Sequence, residues 1–167
     1  MRVEVARYAG VCYGVERAID LAYAARKVFP DRQIVLLGEI IHNPDVNAQM
    51  SALGIRHLPI VRSAADLAGL DYLFYVGSAM SFDPRGQKIA RAFVQVMKHA
   101  GVRLGILGGR EGSTGECVRR VGNEMLFQQL AGTLVATLGE IGVQRIVTCD
   151  PHALNSLRNE YPEFGGH

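Results

Sequence analysis

Short runs rich in β-branched and aromatic residues alternate with helical patterns along the whole chain, and this alternation restricts the fold more than any other feature. It is the pattern of a mainly parallel sheet with helices packed on both faces, a three-layer α/β architecture. Residues 2–6, 33–37, 55–58, 71–77, 102–107 and 144–148 read as strands. Residues 14–29, 43–53, 84–100, 117–140 and 151–159 read as helices. Several boundaries are marked explicitly: Asp83 before Pro84 is an N-cap followed by proline at the first helical position, Gly101 ends the same helix, and Asp150-Pro151 repeats the start signal.

Pro59 to Gly69 lacks a strong period and reads as the junction between two segments, 1–62 and 70–167, expected to pack as one compact unit with a crevice between them. With 167 residues, 49% hydrophobic, the chain can bury a core of useful size. Eighteen basic residues against sixteen acidic ones, scattered apart from Arg119-Arg120, exclude a nucleic-acid stripe. No apolar run reaches the roughly 18 residues of a membrane span. The chain starts at the strand-like Val3-Glu4-Val5 without a leader, so a cytoplasmic protein is expected, with no membrane partner.

Cys12, Cys117 and Cys149 are odd in number and far apart, unlike a secreted disulfide framework. In a parallel sheet the loops leaving the strand C-termini open on one edge, where ligands bind. Cys12 follows the first strand, Cys117 lies in the long loop after 102–107, and Cys149 closes 144–148. All three thiols can therefore face one crevice near helix starts that favour thiolate. Three thiolates suit a [4Fe–4S] cluster with one iron open to substrate. The plain alternative is three small buried hydrophobes. Zinc is disfavoured because no closely spaced Cys/His pair exists.

The loop from Gly108 to Cys117 is rich in glycine and hydroxyls, and its amides, with Ser113 and Thr114, are candidates for binding an anion. It lacks the Lys-Ser/Thr end of a nucleotide P-loop, and an ordinary turn is the alternative. His42, in Ile41-His42-Asn43-Pro44, and His152, beside Cys149, are candidates to contact a phosphate, and His42 also to relay a proton. Arg119 and Arg120 are candidates to reach the same anion or are simply solvated.

Gly10-Val11-Cys12-Tyr13-Gly14-Val15-Glu16-Arg17-Ala18-Ile19, followed by His42-Asn43-Pro44-Asp45-Val46, closely resembles the first domain of the LytB/IspH family, the hydroxymethylbutenyl diphosphate reductases of isoprenoid synthesis. In that family three cysteines hold an iron–sulfur cluster and a histidine of the His-Asn motif binds the substrate diphosphate. The resemblance points to Cys12 and His42.

From about Asp71 to Gly166 the chain resembles a second family, the cysteine-rich (CCG-type) domain of heterodisulfide reductase-like iron–sulfur oxidoreductases. Tyr72-Leu73-Phe74-Tyr75-Val76-Gly77, Ser81-Phe82-Asp83, Arg119 to Glu124 with Leu126-Phe127-Gln128, and Asn159 to Gly166 carry it. Positions where that family places cluster cysteines read here as Ser78, Ser113, Asp150 and Ala153, none a good substitute for a soft thiolate. Cys117 and Cys149 lie within a few residues of vacated positions and, with Cys12, restore the three-cysteine count of the reductases. The chain thus reads as a mosaic or chimera, natural or engineered.

The two resemblances together imply an iron–sulfur oxidoreductase with a three-cysteine [4Fe–4S] site, acting on a small anionic, diphosphate-like substrate and fed by a donor such as ferredoxin or flavodoxin. The reductases are about twice this length, and motifs for their later glutamate proton donor are not found. Glu116 is the candidate that replaces it, with Glu111 in the same loop. Two alternatives stand beside this reading: a heterodisulfide-reductase-type electron-transfer or interaction module, and a cluster-free scaffold. A homodimer that completes a half-built crevice is a further expectation.

Overall fold

The structure is a computed structural model that describes residues 13–32, 34–36 and 43–166, with side chains from Val15. It comprises two units, Met1–His57 and Leu58–His167.

In the first unit, helix α1 (Tyr13–Val28) precedes strand β1 (Ile34–Leu36), and helix α2 (Pro44–Ala52) connects it to strand β2 (Ile55–His57). The two strands are parallel, Ile34 opposite Ile55 and Leu36 opposite His57. Helix α2 starts where expected: Asn43 accepts hydrogen bonds from the Asp45 and Val46 amides and Pro44 takes the first helical position. Its Met50 packs with Ala22 and Ile55 into a small core. Arg26 ties this unit's loops together, donating to the carbonyls of Pro30, Arg32 and Gly54 at 2.8–3.0 Å. The strand expected at residues 2–6 lies outside the described residues.

The second unit carries a parallel sheet of order β4-β3-β5, from β3 (Tyr72–Tyr75), β4 (Leu104–Gly105) and β5 (Ile146–Thr148). Alternation along β3 builds the layers. Leu73 and Tyr75 join a core with Phe127, Ala131 and Leu134 of helix α6 (Glu124–Ile141), while the intervening Phe74 stacks at 5.1 Å on Phe93 of helix α4 (Pro84–His99). Helices on both faces make this unit three-layered, as expected. Each fully buried large side chain contributes about 1.5–3 kcal/mol by leaving water.

Helix α4 begins as its signals require, with the Gly86 amide donating to Asp83 at 2.7 Å. Between β3 and α4 stands a five-residue helix, α3 (Ser78–Phe82), which the strand-to-helix reading had not separated. The two helices approach so closely that a Cβ at Gly86 would lie 2.4 Å from the Ala79 carbonyl oxygen, so only glycine fits.

The helix expected at 117–140 is two helices, α5 (Glu116–Arg120) and α6. Gly122 breaks the run at φ +85°, and Asn123 restarts it by accepting from the Leu126 amide at 3.2 Å. The last helix is shorter than expected: α7 (Pro151–Asn155) passes into a π-helical turn, Ser156–Glu160. Strands 71–77, 102–107 and 144–148 are likewise trimmed to β3, β4 and β5.

Residues 59–69 are built into the second unit. Ile60 bridges Ile106, Val61 is fully buried, and Asp66 accepts from the Arg62 and Ser63 amides at 2.9 Å to fix the 3-10 turn Ala64–Leu67. Beyond the π-helical turn, Phe164 meets Phe127 edge-on at 5.7 Å.

Candidate functional site

The three parallel strands of the second unit release their chains at one edge, and side chains there join all three exits. Past β3, the amides of Val76 and Gly77 donate to the Glu111 carboxylate at 3.0 and 2.7 Å. Glu111 belongs to the loop after β4. Past β5, Asp150 lies against the same Gly77: a Cβ there would sit 2.8 Å from Asp150 Oδ2, and Gly77 takes the left-handed φ of +81°. Asp150 also caps α7, accepting from the His152 and Ala153 amides.

The loop from Gly108 to Gly115, read from sequence as an anion cradle or an ordinary turn, is pinned from beneath. Tyr75 Oη donates to the Gly112 carbonyl at 2.6 Å and Tyr161 Oη to the Thr114 carbonyl at 2.9 Å. Burial pushes both phenols well above their ordinary pKa, so they act as donors throughout the physiological range. Arg110 braces the outside, donating to the Arg62 carbonyl at 2.8 Å and pairing with Glu140 at 3.1 Å. Neither tyrosine was singled out as a site residue, and no local signal could have done so, since the two bonds span 37 and 47 residues.

The loop delivers Glu116 and Cys117 at the start of α5. Glu116 is buried and receives Arg120 at 2.7 Å and His152 Nδ1 at 3.3 Å. The Arg120 guanidinium is the main cause that holds the Glu116 carboxyl below its ordinary pKa, with His152 and the Cys117 thiol adding to it. At neutral pH Glu116 is therefore an acceptor that ties α5 to α7. The neighbouring Arg119 lies over the Phe127 ring at 4.6 Å and pairs with Glu124 and Glu160 at 3.3 and 3.5 Å. Both arginines are already engaged within the unit.

The Glu116–His152 contact makes the turns bearing Cys117 and Cys149 neighbours. Cys117 is exposed, while Cys149 is half-buried, and burial pushes its thiol pKa up. Of the vacated cysteine positions, Asp150 is committed to the α7 cap, Ser113 accepts from the Gly115 amide at 3.2 Å, Ala153 is buried in the core, and Ser78 opens α3. Thr114 contributes its carbonyl to Tyr161, and His152 is exposed. Cys12 and His42 lie outside the described residues.

A [4Fe–4S] cluster takes three or four thiolates. The described residues supply two, on adjacent turns, a donor set of the right softness but short by one. Among them no group of three His, Cys, Asp or Glu side chains is placed to hold a metal ion. Among the described residues, too, no helix is long and apolar enough to cross a membrane.

Comparison with known proteins places this edge in context. Residues 3–83 match the family model of the LytB protein. The chain is 50% identical over 95 residues to the probable iron–sulfur-binding oxidoreductase FadF of Bacillus subtilis, covering 57% of this chain and 14% of that protein. It is 40% identical over 97 residues to the EtfAB:quinone oxidoreductase of Syntrophomonas wolfei, covering 58% and 14%. A 55-residue stretch is 54% identical to the chloroplastic 4-hydroxy-3-methylbut-2-enyl diphosphate reductase of Botryococcus braunii, covering 33% and 11%. The chain thus spans about a seventh of the first two relatives and less of the third. No solved structure matches it. The chain is a mosaic, similar to LytB proteins in one part and to FadF-type oxidoreductases over more than half its length.

Proposed function

We propose that this chain is an iron–sulfur oxidoreductase segment whose [4Fe–4S] cluster is held by three cysteines and acts on a small anionic, diphosphate-like substrate. The observation that carries the reading is the meeting of the Cys117 and Cys149 turns at the carboxyl edge of the sheet, fastened by Glu116 and His152. The likeness to the reductases and to FadF supports an iron–sulfur group in this chain. Cys117 and Cys149 would ligate it, and Cys12, the remaining cysteine of the sequence, is assigned as the third ligand. When bound, the cluster supplies electrons one at a time and an open iron as a Lewis acid.

The chain's own residues would do the rest. Exposed His152 offers a donor to an anion beside Cys149, and His42 is assigned the diphosphate contact by likeness to the reductases. Ser113 and Thr114 lie in the loop pinned by Tyr75 and Tyr161. Glu116, ionised, orients His152 and fixes the Cys117 turn rather than giving up a proton. Electrons would come from a ferredoxin- or flavodoxin-type donor, and no nucleic acid or membrane is assigned as a partner.

The test is anaerobic turnover of the reconstituted protein, with reduced methyl viologen and an allylic diphosphate, followed by viologen oxidation. The reading predicts substrate-dependent oxidation that His152→Ala weakens. Viologen that only reduces the cluster once, with no further oxidation when the diphosphate is added, would reject the substrate assignment and favour the electron-transfer module, which the similarity to FadF and to the EtfAB:quinone oxidoreductase also supports.

A further inference from the structure

Helix α4 carries more apolar surface than the sheet covers. Gly86, Ala90 and Val94 form its buried line, yet Ile89 and Val96 are 48% and 66% exposed, and Phe82, just ahead of the cap Asp83, is 83% exposed. Ile89 and Val96 are seven residues apart, so they lie within about 20° of each other on the helix. The charge on this helix is one-sided: Arg85, Lys88, Arg91 and Lys98, with no acidic residue. Arg85 precedes Ile89 by one turn and shares its flank. Arg85 and Lys88 are exposed and make no ion pair among the described residues.

The position of this face matters as much as its chemistry. Strand β3 leaves the sheet at Gly77 and passes through α3 into α4, so Phe82 and Arg85 stand at the helix end that opens on the carboxyl edge, where Gly77 meets Asp150 beside Cys149. A second copy of the chain would set one basic helix against another, which like-charge repulsion disfavours. An apolar line with a basic rim fits an acidic partner.

We infer that this face docks the acidic surface of a small electron-carrier protein. Phe82, Ile89 and Val96 supply the apolar contact, and Arg85 and Lys88 pair with carboxylates at its rim. The inference rests on the redox reading above but is tested without turnover. Isothermal titration calorimetry of a bacterial flavodoxin into the full chain, at low ionic strength, measures docking whether or not a cluster is assembled.

The expected result is binding that the double variant Arg85→Glu/Lys88→Glu and the single variant Phe82→Ser each weaken about tenfold or more, that salt weakens, and that Lys27→Glu on α1 leaves unchanged. The same pattern in protein that fails to assemble a cluster would support the docking face while the redox reading fell. Unaltered affinity in the α4 variants would overturn the inference. So would a wild-type chain that ignores flavodoxin and instead binds phosphatidylglycerol vesicles through the same residues, marking a membrane contact.

Discussion

Replacing Glu111 by alanine removes the carboxylate that ties the amides at the exit of β3 to the loop after β4. Val76 and Gly77 are both buried, and their amides, which donate to Glu111 at 3.0 and 2.7 Å, would be left without partners. An orphaned buried amide costs about 1–3 kcal/mol, so the pair could lose about 2–6. Removing a partly desolvated carboxylate returns some of this, and a net loss of about 2–4 kcal/mol is expected. At roughly 2–4 °C per kcal/mol for a chain of this size, Tm should fall by about 5–15 °C.

Glu111→Gln keeps one acceptor and should lose much less. Its comparison with wild type also has a pH signature. Burial is the main cause that raises the Glu111 pKa above its ordinary 4.5, with the two amide bonds opposing it. The folded chain therefore holds this proton more tightly than the unfolded chain. The contribution is fully present below about pH 4.5 and is lost as pH rises through the folded value, so wild type should lose ground to Glu111→Gln over that interval. Urea denaturation followed by circular dichroism gives the stabilities, and tryptic cleavage after Arg110 reports release of the loop. Alanine and glutamine variants that match wild type within about 0.5 kcal/mol and resist trypsin equally would refute the clamp.

Three further outcomes follow from the same packing. Phe127→Ala, at a fully buried ring against Phe164 and under Arg119, should cost about 3–5 kcal/mol by urea denaturation. Gly105→Ala should cost about 1–3 kcal/mol in the same assay, because its Cβ would meet Leu70 at 2.5 Å and Val61 at 2.7 Å. In the cluster-free chain at mildly alkaline pH, exposed Cys117 should react with a disulfide reagent faster than Cys149, whose thiol is half-buried with a raised pKa; single Cys→Ser variants assign the two phases.

The elements legible in the sequence were those with local signals. Asp83-Pro84, Asn43-Pro44 and Asp150-Pro151 each start a helix where a carboxylate or amide oxygen caps the first turn. The break between α5 and α6 was missed although Gly122 and Asn123 spell it out, because the apolar period runs on across it. Helix α3 is too short to show a period at all. At the candidate site, the edge that carries Cys117 and Cys149 is read from the positions of both cysteines after the C-terminal ends of strands in a mainly parallel sheet. The roles of Glu111, Tyr75 and Tyr161 cannot be read this way, because each acts on residues 34 to 47 positions away that only the folded sheet brings near. Glu116 was picked out as a proton donor, yet its partner Arg120 one turn along the helix already implied a stabilised carboxylate.

The central claim, a cysteine-held cluster at the carboxyl edge, is tested most directly by anaerobic reconstitution with iron and sulfide, followed by iron and sulfide analysis and the visible spectrum of wild type, Cys12→Ser, Cys117→Ser and Cys149→Ser. The account predicts a brown wild-type protein whose iron content approaches the [4Fe–4S] formula and which each substitution strips of most of its absorbance. A colourless wild-type protein, or variants that keep the full cluster, would contradict it.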